Sequence, residues 1–347
     1  MQPSSLEFKS NNLLRKKFSF LAVIVSALIS GFAVYFFFPK PTEKIVVSAP
    51  ATDCAYRMNQ LRLKDFKLTH PLLLVDLPSQ NPELNNLKDK INRIIATGKS
   101  ANTITDISVY YRKLNDGSWF EINGNKEYNP ASLMKVPLLI TILKQAGSNP
   151  KLLDKKVFFG KHFEGNYNQN IKDFHLQENK QYSIRELLQY MIQYSDNDAM
   201  SMIAQNIDAT VYNKLFTDFG ISVPPSLFSS KGIEYFLYII DYSKFFRLLY
   251  NSGYLNDDQS ELALEFLTKS TYKEGILRNI NSSIPVAHKF GERILNNESQ
   301  LHEVGIFYVD QHPYLLGIMS SGHDMKQLSG VLSEISKVTF DESGKSN

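Results

Sequence analysis

A serine hydroxyl becomes a useful nucleophile when a neighbouring base can take its proton, and Ser132 and Lys135 are spaced for that exchange. They open the run Ser132-Leu133-Met134-Lys135-Val136-Pro137-Leu138-Leu139-Ile140, which reads as a helix behind the turn Asn129-Pro130. Positions i and i+3 of a helix share a face, so the amine can reach the hydroxyl. A lysine serves as a base when a dry, positively charged site depresses its pKa. The spacing alone says little, because Ser148/Lys151 and Ser270/Lys273 repeat it. The first of these lies in a loop and the second ends a helix before Gly275. Only Ser132 opens a segment that is apolar all round, the mark of a buried central helix. Two further stretches carry polar groups that could join the pair: Ser195-Asp196-Asn197, which interrupts two helical patterns, and Lys289-Phe290-Gly291 on a β-rich segment. Each has a plain structural reading as well. Asp and Asn favour helix ends, which makes Asp196 a structural residue, and an edge-strand lysine guards against aggregation.

The elements that must position these groups follow from periodicity. Pro82 starts a helix in which Leu84, Leu87, Ile91, Ile94 and Ile95 recur at helical spacing to about Thr97. Ile107–Tyr111 and Trp119–Asn123 form a β-hairpin across Asn115-Asp116-Gly117. From Ser132 to about Leu277 the pattern is mainly helical, with residues 160–182 reading as a loop. Ser183-Ile184-Arg185-Glu186 is a capping box, and helices follow through Tyr194, over 199–207, over 243–250 and over 261–267. Pro285–Phe290 is a strand, Val304–Val309 and Tyr314–Met319 form a second hairpin, and a last helix carries Met325, Leu328, Val331, Leu332 and Ile335. The expected class is α+β: an antiparallel sheet flanked by N- and C-terminal helices, with an all-helical lobe inserted at about 132–277.

Ahead of this domain (81–340) the chain changes character. Residues 1–17 are polar and end in Arg15-Lys16-Lys17, and residues 18–38 are uncharged and almost wholly apolar. At about 1.5 Å per residue that stretch spans a bilayer core of about 30 Å. The basic cluster puts the N-terminus in the cytoplasm and the remainder outside, so a single-pass cell-membrane protein with an extracellular or periplasmic domain is expected. The aromatic end Tyr35-Phe36-Phe37-Phe38 argues against a cleaved signal peptide. Residues 39–80, broken by Pro39, Pro41, Pro50, Pro71 and Pro78, read as a tether that becomes an extended arm. A net charge of +3 and no basic stripe give no nucleic-acid signal. The single Cys54 cannot form an intrachain disulfide, and no His/Cys cluster suggests a metal or other cofactor.

Ser132-x-x-Lys135, then Ser195-Asp196-Asn197, then Lys289-Phe290-Gly291, in that order and around a split sheet, resemble the motifs of the penicillin-recognising serine hydrolases, most closely the class A β-lactamase-like branch. The resemblance covers roughly residues 80–340. Ser-Asp-Asn is expected by chance only about once in several thousand positions. The resemblance implies that Ser132 attacks a β-lactam or cell-wall peptide amide of D-Ala-D-Ala type and becomes acylated. It implies that Lys135 takes the proton and that Ser195 relays it to the leaving nitrogen. Asn197 would bind the substrate's side-chain amide, and Lys289 would add positive charge near the substrate carboxylate. Gly291 would let the substrate approach the strand, and the N–H groups of Ser132 and Glu292 would form the oxyanion hole.

Two departures qualify the activity. Most family members carry a Thr or Ser, which contacts the substrate carboxylate, where this chain has Phe290; Arg293 or Ser283 is the candidate to replace that hydroxyl. The class A deacylation segment Glu-x-x-Leu-Asn is also missing, since the region 224–241 has only Glu234, which reads as a surface or helix-end carboxylate. Slow deacylation is therefore expected. The alternatives are a pseudoenzyme that binds wall material or a membrane partner, and an esterase of small acyl esters.

Overall fold

The computed structural model describes residues 60–63, 71–76, 80–163, 171, 174–225, 234–280 and 283–343. A short ribbon comes first, in which β1 (Gln60–Arg62) pairs antiparallel with β2 (Leu72–Val75) and Leu73 and Leu74 are buried. Asp76 fastens this arm. Its carboxylate accepts from Arg112 Nη1 at 2.8 Å and Arg247 Nη2 at 2.7 Å, and both guanidinium groups also donate to Val75 O at 3.0 Å. Pairing matters because either arginine, nearly buried, would be costly alone.

Helix α1 (Asn85–Ser100) follows a 3-10 turn over Pro82–Leu84 that Asn81 caps, and it buries Leu87, Ile91 and Ile95 at four-residue spacing. Next come the hairpin β3 (Asp106–Lys113) and β4 (Trp119–Ile122), then β5 (Glu127–Tyr128). A 3-10 turn over Ala131–Met134 leads into α2 (Lys135–Ser148), in which every residue from Lys135 to Leu143 is buried. The ribbon of β6 (Lys156–Phe159) and β7 (Lys180–Ser183) precedes α3 (Ile184–Gln193), whose capping box of Ser183 and Glu186 is formed as expected. The chain continues through α4 (Asn197–Ala204), α5 (Ala209–Asp218), β8 (Leu237–Tyr238), α6 (Ile239–Tyr250) and α7 (Asp257–Thr268). It closes with β9 (Val286–Leu295), β10 (Glu298–Phe307), β11 (Tyr314–Gly322) and α8 (Met325–Ser343).

The sheet runs β4-β3-β11-β10-β9, antiparallel throughout, so the two halves of the chain meet where β3 pairs with β11. It separates two cores. On one face Leu87, Ile91 and Ile95 of α1 and Leu328, Leu332 and Ile335 of α8 cover Val109, Tyr111, Leu316 and Ile318. On the other, α2, α3, α6 and α7 pack with Tyr110, Val304, Ile306 and Leu315. β9 is an edge strand, and its free side faces the turn that carries Ser132.

The structure departs from the sequence expectations in three places. The interval expected to be all-helical contains the β6–β7 ribbon, whose outward residues Phe158 and Lys180 give no buried alternation to read, and the two-residue strand β8, which pairs with β5. Helix α5 lies where the sequence expectation holds no helix; Asp208 caps it and Tyr212, Leu215 and Phe216 are buried. β9 and β10 run beyond the core as a hairpin turning at Asn296-Asn297, both with positive φ, a conformation asparagine tolerates. The segment 18–38, expected to span a membrane, lies outside the described residues; among those described, no helix is long and apolar enough to cross one.

Candidate active site

The turn before α2 is held in a strained shape. Ala131 has φ 48°, a left-handed value uncommon for a residue with a β-carbon. Three bonds keep it there. Asn129 Oδ1 accepts from Ala131 N at 3.0 Å, Pro130 O accepts from Leu133 N at 3.0 Å, and Tyr242 Oη on α6 donates to Leu133 O at 2.8 Å. From β10, His302 holds the same loop: Nε2 lies 3.0 Å from Asn129 O, while Nδ1 accepts from Ser320 N at 3.2 Å. That pattern requires a neutral ring, and burial pushes the His302 pKa down to about 4. Ser132 is thus presented half-buried at the head of a buried helix.

Lys135 is fully buried and makes four contacts: Ser132 Oγ at 3.1 Å, Ser195 Oγ at 3.1 Å, Ser195 O at 2.5 Å and Asn197 Oδ1 at 2.7 Å. Ser195 can serve it because the break between α3 and α4 turns there with φ 55°. Asp196 then caps α4 through Ala199 N at 2.6 Å, the structural role its type suggested. On β9, Lys289, also fully buried, donates to Ser195 Oγ at 2.9 Å and to Phe290 O at 2.8 Å. Two amines therefore share one hydroxyl. Burial lowers the Lys135 pKa to about 7, opposed by the negative charges of Asp196 and Glu292. Burial first, and then the charge of Lys135, hold Lys289 well below its ordinary value.

Gly291 explains how closely the strand approaches. A β-carbon there would lie 2.7 Å from Pro130 O and 3.0 Å from Leu133 N. Phe290 points the other way, 2% exposed, its ring stacked on Tyr272 at 4.0 Å between centroids, with Lys289 Nζ 4.1 Å from its own centroid. The loop bearing Tyr272 is fixed from two sides. Thr271 N donates to Gln193 O at 3.0 Å, and Glu303 accepts from Ile276 N at 2.8 Å while pairing with His288 Nδ1 at 2.7 Å. Glu292 is partly buried, and its carboxyl pKa is raised by desolvation against the pull of Lys289 and Lys135. Arg293 forms an ion pair with Glu234.

Ser132, Lys135, Ser195, Asn197 and Lys289 therefore meet in one hydrogen-bonded cluster, with Phe290, Gly291 and Glu292 along its edge. The cluster can accept a proton from Ser132 at a depressed amine and pass one through Ser195. The sequence reading did not single out His302, Tyr242 or Tyr272. Each acts by contact across more than 100 residues or by stacking, and no local motif marks it. Among the described residues no group of side chains is placed to hold a metal ion.

Comparison with known proteins bears on the family and the fold. A family model described as the beta-lactamase enzyme family (Beta-lactamase2) matches residues 86–342. A comparison with curated proteins gives no match. Among solved structures, a beta-lactamase from Chitinophaga pinensis superposes with TM-score 0.63 at 19% identity, covering 75% of this chain and 100% of that one. A mutant of PBP-A in an acyl-enzyme complex with penicillin G gives TM-score 0.63 at 19% identity, covering 78% and 100%. A class A beta-lactamase from Mycobacterium abscessus gives 0.61 at 14% identity, covering 74% and 99%. At these identities the likeness is one of fold.

Proposed function

The chain belongs to the beta-lactamase enzyme family, and from that premise we propose that it is a serine hydrolase that forms an acyl-enzyme on Ser132. The carrying observation is that one fully buried amine, Lys135 Nζ, lies 3.1 Å from both Ser132 Oγ and Ser195 Oγ. Neutral Lys135 takes the Ser132 proton as Oγ attacks a carbonyl carbon. Backbone N–H groups of Ser132 and Glu292 bind the oxyanion. The bond to the leaving nitrogen breaks as Ser195 gives that nitrogen a proton, and Lys135 returns one to Ser195. An ester on Ser132 remains for water to hydrolyse. The substrates are β-lactam or cell-wall peptide amides.

Deacylation is slow in this reading. The carboxylates that act electrostatically on Lys135 are Asp196 and Glu292; Asp196 is committed to the α4 cap, and Glu234 to Arg293. The protein is anchored by residues 18–38 with its domain facing outside the cell, a reading supported by the apolar run and the Arg15-Lys16-Lys17 cluster.

The test is mass spectrometry of the folded protein after exposure to a fluorescent penicillin and to a neutral phenylacetyl thioester. An acyl adduct on the Ser132 peptide from at least one probe, absent in Ser132→Ala, is expected. Adduct retained by Ser132→Ala, or none from either probe on folded protein, would overturn the assignment.

A further inference from the structure

The far end of the site, beyond Lys289 on β9, is built against a carboxylate. Three observations converge there. First, Phe290 occupies the position where family resemblance places a carboxylate-binding hydroxyl, and its ring is buried in a stack with Tyr272. A phenyl ring donates no hydrogen bond, and the phenol of Tyr272 is held in the stack by a loop anchored at Gln193 and Glu303. Second, the positive charge that would attract a carboxylate is already engaged. Lys289 is fully buried and directs its amine to Ser195 Oγ, Phe290 O and the Phe290 ring. Third, Glu292 follows Phe290 by two residues in an unbroken β9–β10 register, so its side chain leaves the strand on the Phe290 side. It acts electrostatically on Tyr272 as well as on both lysines.

We infer that this site selects acyl donors whose leaving group carries no carboxylate, accepting a neutral or cationic group beside Glu292, Phe290 and Tyr272. A partly exposed carboxylate favours a cation and repels an anion, and of the stacked pair Tyr272 is the partly exposed ring while Phe290 is buried beneath it. Glu292 is the specificity-determining residue and Phe290 its partner. The inference rests on the acyl-enzyme reading of Ser132 and narrows it, to wall-peptide amides with an internal, amidated or amine-bearing leaving side.

The test uses the full chain and three thioesters that share one phenylacetyl group, with mercaptoacetate, mercaptoacetamide or thiocholine as leaving thiol. Each acylation rate is divided by the same ester's rate with hydroxide. In the wild type the amide and thiocholine esters should exceed the mercaptoacetate ester by about tenfold or more, equivalent to about 1.4 kcal/mol. Glu292→Gln keeps the backbone N–H and should collapse the thiocholine-to-mercaptoacetate ratio by a similar factor. Phe290→Thr should raise the mercaptoacetate ester relative to the amide. A wild type that prefers mercaptoacetate, or a ratio unmoved by Glu292→Gln, overturns the inference while leaving the Ser132 reading intact. No acylation of Ser132 by any of the three esters overturns both.

Discussion

The sharpest consequence of the buried cluster is the pH at which Ser132 becomes reactive. An ordinary lysine, with pKa 10.5, is neutral in only about one molecule in 3,000 at pH 7. With its pKa lowered to about 7, Lys135 is neutral in about half. Burial thus supplies more than about a thousandfold more base, and the pKa shift itself corresponds to roughly 5 kcal/mol of ammonium destabilisation. The rate constant for acylation by a neutral thioester should therefore rise about tenfold per pH unit below 7 and level off above it. The profile belongs to the coupled amines Lys135 and Lys289, which share Ser195. Quench-flow mass spectrometry from pH 5 to pH 9 reads it directly, with a donor that does not titrate. Lys135→Met keeps an apolar chain of similar length in the buried site. It should remove the inflection and slow acylation by roughly a hundredfold or more, the usual worth of a positioned base. A wild-type profile still climbing steeply above pH 9, or an inflection that survives in folded Lys135→Met, would refute the argument.

Other perturbations follow from the same contacts. Ser195→Ala removes the hydroxyl between the two amines, and acylation of Ser132 should fall by roughly a hundredfold or more with circular dichroism unchanged. Gly291→Ala puts a β-carbon 2.7 Å from Pro130 O, so β9 or the Ser132 turn must shift; urea unfolding should show a loss of about 1–3 kcal/mol together with loss of acylation. Asp76→Ala leaves Arg112 and Arg247 unpaired near the arm. Because Asp76 is itself about a quarter exposed, a destabilisation of about 2–3 kcal/mol is expected in urea, below that of a fully buried pair. His302 is neutral and buried with its pKa lowered to about 4. The unfolded chain binds that proton near pH 6.5 and the folded chain only near 4, so stability should fall by about 3 kcal/mol as pH drops through that interval. A His302→Gln variant should show a shallower acid slope in urea titrations across pH 6.5 to 4.

Local patterns made much of this molecule legible in the sequence. Helix α2 could be recognised because its apolar residues surround it, and they do so because it is packed on every side. The Ser183–Glu186 capping box is a local bond, so four residues suffice to see it. The hairpin β3–β4, the apolar end of β10 from Val304 and the strand β11 lie between two cores and declare themselves by their β-rich composition. Ser132, Lys135, Ser195 and Lys289 could be named from motif types. Their meeting could not, because three segments separated by 60 and 94 residues converge only once β9 lies against the 3-10 turn. The same holds for what tunes them. Lys135 is a base because desolvation acts on it from surrounding elements, and no spacing in the sequence encodes a dielectric. Phe290 could be read as the loss of a hydroxyl. That its ring stacks on Tyr272 and that Lys289 is engaged with Ser195 and Phe290 O are facts of packing across the chain. The sequence determined which groups were available for chemistry; the tertiary structure decided which of them are dry, which are paired, and therefore which charges a substrate would meet.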